Sequence, residues 1–85
     1  MKRTNVTYGQ LDKVLRSLGF ARRELNHERP ARVYDHLETG ASIILPVFPD
    51  KARVMAHHLV TARVMLDEFG IADPSVFEAK LLKAG

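Results

Sequence analysis

The feature that most constrains the fold is a pair of β-strand patterns joined by a short turn. Two runs rich in β-branched and aromatic residues, 32–37 and 41–48, flank the sequence Glu38-Thr39-Gly40. Glycine can adopt a positive φ angle, which a tight turn between antiparallel strands often needs. The sequence therefore predicts a β-hairpin in the middle of the chain.

A helix and a strand are predicted before the hairpin. Thr7 and Gln10 have the spacing of a capping box, and Gly19 is placed to end the helix in a left-handed conformation. Apolar side chains recur between them at helical spacing, at Leu11, Val14, Leu15 and Leu18. Residues 20–25 follow directly and are predicted to form a first, edge strand that pairs with the hairpin.

Two helices are predicted after the hairpin. Asp50 is the expected N-cap of the longer one, and Gly70 its end. Its apolar stripe consists of Met55, Leu59, Ala62, Leu66 and Phe69. Asp73-Pro74 is typical of an N-cap followed by proline at the first helical position, so a last helix is expected to end near Ala84.

The predicted order is one helix, three antiparallel strands and two helices, which indicates an α+β fold in a single domain, residues 1–85. We expect the helices from Thr7 and Asp50 to pack on one face of the sheet through Leu15, Leu18, Leu59 and Leu66. This arrangement resembles the double-stranded-RNA-binding fold, α-β-β-β-α, with an extra C-terminal helix.

Side chains alternate along a strand, so the run 41–48 has apolar residues on both faces. Either a second copy of the chain or a partner protein covers the second face, or Phe48 tucks under the following loop.

Composition excludes several classes of protein. The chain has no cysteine, which rules out disulfides and thiolate metal sites. No apolar run approaches the ~20 residues that span a bilayer, and residues 1–5 lack the apolar segment of a signal peptide. We therefore expect a cytoplasmic protein that is not attached to a membrane.

The positive charge is concentrated at the front of the chain. Residues 1–32 hold eight Lys and Arg against three Asp and Glu, whereas residues 33–85 hold five against seven. A basic surface of this kind favours contact with RNA phosphates. The candidate RNA-binding residues are Arg22, Arg23, Arg29 and Arg32, with Tyr34 available for stacking on a base. The alternative is that the arginines are ordinary solvated surface and that Tyr34 belongs to the core.

Several segments resemble the HicA family of small bacterial toxins, mRNA interferases that pair with a HicB antitoxin. The matching features are Leu18-Gly19-Phe20 after the first helix, Tyr34-x-His36-x-x-x-Gly40 at the turn, and the apolar strand that reaches Pro46. The resemblance covers about residues 7–70, and the C-terminal helix, about 73–84, lies beyond it. It implies a toxin–antitoxin-related protein, with RNA and a HicB-like antitoxin as partners.

The sequence departs from the family at the catalytic histidine. The family carries Gly-Ser-His at the start of the middle strand, where this chain has Pro30-Ala31-Arg32. His27, a few residues upstream in the preceding loop and flanked by Arg29 and Arg32, is the nearest residue that could replace it as an acid or base. Endoribonuclease activity is expected only if His27 does so.

The remaining histidines predict no catalytic or metal site. His36 is expected to be structural, with a hydrogen bond across the turn. His57 and His58 are neighbours on a helix and point about 100° apart, so they do not face one metal ion. We expect neither a metal nor a cofactor.

The sequence thus predicts a HicA-like RNA-binding domain with little cleavage activity. The alternative is a homodimeric protein-interaction module without catalytic activity that uses the second face of the sheet. A true ribonuclease is the third reading.

Overall fold

A computed structural model of the chain describes residues 6–26 and 28–84. The elements follow the predicted order, and the fold is α+β with one three-stranded antiparallel sheet. They are α1 (Tyr8–Ser17), β1 (Phe20–Leu25), β2 (Ala31–His36), β3 (Ser42–Pro46), α2 (Ala56–Glu68) and α3 (Pro74–Ala84). No helix within the described ranges has the length and apolar character needed to cross a membrane.

The sheet has the strand order β1-β2-β3, so β2 is central as expected. Phe20 pairs with His36 in the first ladder, and Tyr34 pairs with Ile43 in the second. Because side chains alternate, these four residues point to one face of the sheet, which we call the core face. Arg23, Val33 and Ile44 point to the opposite, outer face.

The first helix begins and ends as its sequence predicts. The Thr7 side chain accepts a hydrogen bond from the Gln10 amide, and the Gln10 side chain accepts one from the Thr7 amide. Gly19 follows the helix with a φ angle of 99°. These local contacts satisfy backbone hydrogen-bonding groups at the ends of α1. Residue spacing in the sequence was therefore enough to predict where the helix begins and ends.

The second helix begins at Ala56, so the prediction that Asp50 is its N-cap is wrong. The carbonyls of Asp50 and Ala52 accept hydrogen bonds from the Gly9 and Tyr8 amides, and the Val54 amide donates to the Val6 carbonyl. The segment 50–54, which begins as a turn, is therefore held against the start of α1. This tertiary pairing overrides the local capping signal.

All three helices contribute to a core on the core face of the sheet. Leu15 and Leu66 are fully buried, whereas Leu18 and Leu59 are only partly buried against the same cluster. The expectation that the helices on either side of the strands share one face is confirmed. The third helix contacts both α1 and α2 and places Phe77 in the core.

The outer face carries both polar and apolar side chains. Phe48 leaves this face and packs on the ring of Tyr8, with ring centroids 4.9 Å apart, and it is partly buried against the core. Ile44 remains 64% exposed. Arg23, Asp35 and Ser42 form a hydrogen-bonded line across the three strands.

Candidate nucleic-acid interface

A shallow, open groove of about 470 Å³ lies between α1 and the segment that follows β3. It exists because residues 50–52 pair with the start of α1. Gly9 allows the close approach, since a Cβ at this position would lie 3.2 Å from Cβ of Asp50. We call it the α1 groove; it is lined by Thr7, Gly9, Gln10, Asp12, Lys13, Arg16, Asp50 and Lys51.

The start of α1 offers no free amide to an anion in this groove. The Tyr8 and Gly9 amides donate to the carbonyls of residues 52 and 50. The Gln10 and Leu11 amides donate to the Thr7 side chain and carbonyl. Any anion in the groove would therefore have to be held by side chains.

Asp12 is the acidic residue of α1 and is only 9% exposed. Its Oδ1 accepts a hydrogen bond of 2.7 Å from the Tyr34 hydroxyl and one of 3.1 Å from the Arg22 guanidinium. Arg16 lies 3.5 Å from its Oδ2. Three donors thus surround the carboxylate, so its oxygens are already engaged in contacts within the chain.

The network around Asp12 shifts the protonation of its partners. Burial, followed by the hydrogen bond to Asp12, raises the pKa of Tyr34 to about 12. The nearby Asp12 charge raises the pKa of Arg22. At neutral pH the arginine of this cluster is therefore charged and the phenol is neutral.

Tyr34 was predicted to stack on an RNA base, and the structure contradicts this. The residue is 2% exposed and lies in the core cluster. Its position on the central strand, facing α1, buries the ring, while Asp12 satisfies its hydroxyl. The alternative reading of Tyr34 as a core residue is confirmed.

The four predicted arginines do not lie on one surface. Arg22 points to the core face beside Asp12, whereas its neighbour Arg23 points to the outer face and donates a 2.7 Å hydrogen bond to Asp35. That bond, more than any other contact, lowers the pKa of Asp35. Arg29 lies exposed in the loop between β1 and β2.

Arg32 is less accessible than its place near the start of a strand suggests. Its side chain is 17% exposed and lies between Glu24, at 3.4 Å, and Asp50, at 3.5 Å. The buried Nε has no aligned hydrogen bond, since the contact with Glu24 meets only the distance of an ion pair. Arg32 therefore serves chiefly to connect the sheet to the segment that forms the α1 groove.

Sequence reasoning missed three basic residues that line the α1 groove, Lys13, Arg16 and Lys51. Lys13 and Arg16 are three positions apart on the exposed side of α1, so helical spacing could have grouped them. No local signal joins Lys51 to them, because it reaches the groove only through the pairing of residues 50–52 with α1.

His27 lies outside the described residues, so its predicted role has no structural counterpart here. His36 is 7% exposed; its Nε2 donates to the Leu18 carbonyl, and its Nδ1 lies 2.9 Å from the Thr39 hydroxyl. It therefore ties the turn of the hairpin to the end of α1. This agrees with the structural role and the hydrogen bond across the turn that were expected of it.

His58 is also occupied by a hydrogen bond. The Tyr8 hydroxyl accepts from the Met55 amide at 3.2 Å and lies 2.9 Å from Nδ1 of His58. Partial burial, followed by the adjacent His57, lowers the pKa of His58. In residues 6–26 and 28–84, no group of three or more His, Asp or Glu side chains is arranged to hold a metal ion.

Comparison of the chain with protein-family models, with curated proteins and with solved structures finds no match.

Proposed function

We propose that this chain is an RNA-binding domain of a HicA-like, toxin–antitoxin-related system and that RNA phosphates contact the α1 groove. The observation that carries the proposal is the concentration of basic side chains there. Lys13, Arg16 and Lys51 line the groove, and Arg22 and Arg32 contact its two acidic residues.

The charge balance of this region supports phosphate binding. The five basic groups face three acidic ones, Asp12, Asp50 and Glu24, so the region has a net charge of +2. Lys13 and Lys51 form no ion pair with any described residue. Their ammonium groups are free to replace counterions on a phosphate backbone.

The order of elements gives further support. An α-β-β-β-α core with its helices on one face of the sheet is the arrangement of double-stranded-RNA-binding domains, to which we assign this fold. Such domains recognise the shape and backbone of RNA rather than its sequence. Tyr34 is buried, so its ring is not available for base stacking. A surface that offers lysine and arginine side chains instead suits recognition of the RNA backbone.

We expect little cleavage of RNA. Cleavage needs an acid or base beside the 2′-hydroxyl or the leaving oxygen. Asp12 already accepts hydrogen bonds from two partners, and His36 is engaged with Leu18 and Thr39. The HicA catalytic position corresponds to Ala31 or Arg32 in this chain, which leaves His27 as the candidate.

RNA binding is tested by fluorescence anisotropy with a double-stranded RNA of about 16 base pairs, the span that one such domain covers. The salt concentration is varied from about 50 to about 200 mM, over which phosphate contacts are strongly screened. Replacing Lys13 and Lys51 together by Ala should weaken binding. It should also flatten the slope of log affinity against log salt by about one to two units.

The matched control is the double variant Lys80→Ala and Lys83→Ala on α3, which removes the same charge elsewhere. It should keep most of the affinity. Equal effects of the two double variants would show that only net charge matters and would refute the α1 groove as the contact surface. Absence of binding by the unmodified chain at low salt would refute RNA binding altogether.

The lack of cleavage is tested separately by expression in a bacterial host, which we expect to be tolerated. If expression arrests growth and His27→Ala relieves the arrest, the proposal is wrong and the chain is a ribonuclease. The resemblance also implies a HicB-like antitoxin as partner, and co-expression with such a protein encoded beside this gene should yield a complex.

The alternative, a protein-interaction module, is favoured by a different part of the molecule. Ile44 and Val47 are 64% and 44% exposed on and beside the last strand of the sheet. Exposed apolar side chains of this kind are typical of a protein-contact surface. The two readings are compatible, since the α1 groove and this strand are separate surfaces.

A further inference from the structure

The two edges of the sheet differ sharply in charge. β1 forms one edge and carries Arg22, Arg23 and Glu24, whereas β3 forms the other. Residues 39–49, which contain β3, include no charged side chain. Natural proteins usually protect an exposed edge strand with charge, so that it does not pair with another strand. The edge at β3 lacks this protection.

The ladder between β2 and β3 determines which backbone groups face outward. The His36 amide donates to the Ala41 carbonyl at 2.9 Å, so residues 36 and 41 form a hydrogen-bonded pair. Such pairs alternate along an antiparallel ladder. Ile43 and Leu45, opposite Tyr34 and Arg32, therefore also bond to β2.

The groups that remain on the open side of β3 belong to Ser42, Ile44 and Pro46. Ser42 and Ile44 each present an amide and a carbonyl there. Pro46 presents a carbonyl alone, because proline has no N–H group. The edge thus offers two donors and three acceptors to a partner strand.

We propose that β3 pairs antiparallel with β3 of a second copy of this chain, around a two-fold axis at Ile44. The Ile44 amides donate to the Ile44 carbonyls across the axis, and each Ser42 amide donates to the Pro46 carbonyl of the other copy. The strand overlaps its copy along its whole length, and every outward amide obtains an acceptor. Pro46 lies opposite Ser42, where its missing N–H leaves no donor unpaired.

Three observations select a second copy as the partner. The strand has no charge to repel itself, and its pattern of donors and acceptors is self-complementary. The exposed Ile44 side chains also meet across the axis on the outer face. The resulting six-stranded sheet ends at β1 on both sides, where the charged residues block further addition, so the assembly closes as a dimer.

The outer face itself is a poorer candidate for the interface. The line of Arg23, Asp35 and Ser42 crosses all three strands with its hydrogen bonds already made. Stacking two copies on this face would remove an ion pair from water and gain little apolar contact beyond Ile44. Pairing through the edge leaves the ion pair in solvent and does not depend on RNA binding.

Cysteine crosslinking tests the register, because the chain contains no cysteine of its own. In the proposed dimer the Cα atoms of paired residues at position 44 are about 5.5 Å apart, within the range of a disulfide. Mild oxidation of Ile44→Cys should therefore give a covalent dimer. The Ser42→Cys variant is the control, since its two cysteines would lie roughly 13 Å apart along the strands.

Sedimentation equilibrium tests the interface without crosslinking, at protein concentrations from about 10 µM to about 1 mM, the range of a weak dimer. Ile44→Lys should raise the dimer dissociation constant by at least about tenfold, because it places two like charges opposite each other. Ala21→Lys adds the same charge on the same face at the β1 edge and should leave the constant unchanged.

Any one of three results overturns the proposal. The unmodified chain could remain a monomer over the whole concentration range, or Ser42→Cys could crosslink as fast as Ile44→Cys. An effect of Ala21→Lys equal to that of Ile44→Lys would place the contact on the outer face and would also refute edge pairing. Circular dichroism of each variant confirms that it is folded before it is scored.

Discussion

The hydrogen bond between Tyr34 and Asp12 should make a measurable contribution to the stability of the fold. The bond is 2.7 Å long, both residues are buried, and the acceptor is a charged carboxylate. Hydrogen bonds of this kind contribute about 1.5–3 kcal/mol. In Tyr34→Phe, Asp12 keeps its contacts with Arg22 and Arg16, so its charge remains partnered. We expect a loss at the lower end of that range, about 1.5–2 kcal/mol.

Removing the carboxylate should cost more than removing the phenol. Asp12→Ala leaves the buried Tyr34 hydroxyl without its acceptor, and Arg22 loses its ion pair. The Arg22 side chain is 31% exposed and can regain water, which limits the total cost to about 3 kcal/mol. The double variant Tyr34→Phe and Asp12→Ala should lose about 1–2 kcal/mol less stability than the sum of the two single losses, since both substitutions remove the same hydrogen bond.

Urea unfolding followed by far-ultraviolet circular dichroism measures these free energies of unfolding. For a domain of this size, Tyr34→Phe should lower the melting temperature by about 10 °C. Additive effects of the two substitutions, or a Tyr34→Phe variant as stable as the unmodified chain, would refute the argument. The buried phenol would then contribute only through its ring.

Three further predictions concern other positions. Both Gly19 and Gly40 have a positive φ angle, so replacing either by Ala should lower the free energy of unfolding. The loss should be about 1 kcal/mol for Gly40→Ala and about 1–3 kcal/mol for Gly19→Ala, because a Cβ at Gly19 would also lie 3.2 Å from the His36 side chain. Chemical denaturation of the two variants measures the difference. Burial lowers the pKa of His58, so this histidine binds a proton more readily in the unfolded chain than in the folded one. The free energy of unfolding should therefore fall as pH decreases below about 6.5, and His58→Asn should weaken this pH dependence. Asp73 caps α3, so Asp73→Ala should reduce stability by about 1 kcal/mol, measured at neutral pH.

The ionisation of Tyr34 gives an independent measure of the same cluster. Burial and Asp12 raise its pKa to about 12, from an ordinary value of 10. The protonated phenol is therefore favoured in the folded state, and this contribution to stability is fully present below pH 10 and is lost as pH rises towards 12. The alkaline absorbance titration of tyrosinate should lose its late component in Tyr34→Phe.

Much of the architecture could be predicted from residue spacing because local contacts create it. The capping box at Thr7, the positive φ angles of Gly19 and Gly40, and the cap at Asp73 all depend on residues within a few positions of one another. The alternation of Ile43 and Ile44 likewise divided β3 into a buried and an exposed side. Such signals locate helices, strands and turns without knowledge of the tertiary fold.

The start of α2 and the surface beside it were decided by tertiary contacts. Asp50 has the character of an N-cap, but its carbonyl binds the Gly9 amide, and the helix begins six residues later. That pairing brings Lys51 to the α1 groove beside Lys13. Residues 13 and 51 are too far apart in sequence for any periodic pattern to connect them.

The positions of the candidate RNA-binding residues also depended partly on the sequence and partly on the tertiary fold. Composition identified a basic front half, and alternation along β1 already implies that Arg22 and Arg23 point to opposite faces. Only the packing of α1 over the sheet determined that Asp12 lies against Arg22 and Tyr34, which buries the tyrosine. The sequence by itself determined the strands, the helix ends and the distribution of charge. The tertiary structure decided which charges are paired and which remain free, because ion pairing and burial depend on residues that only the fold brings together.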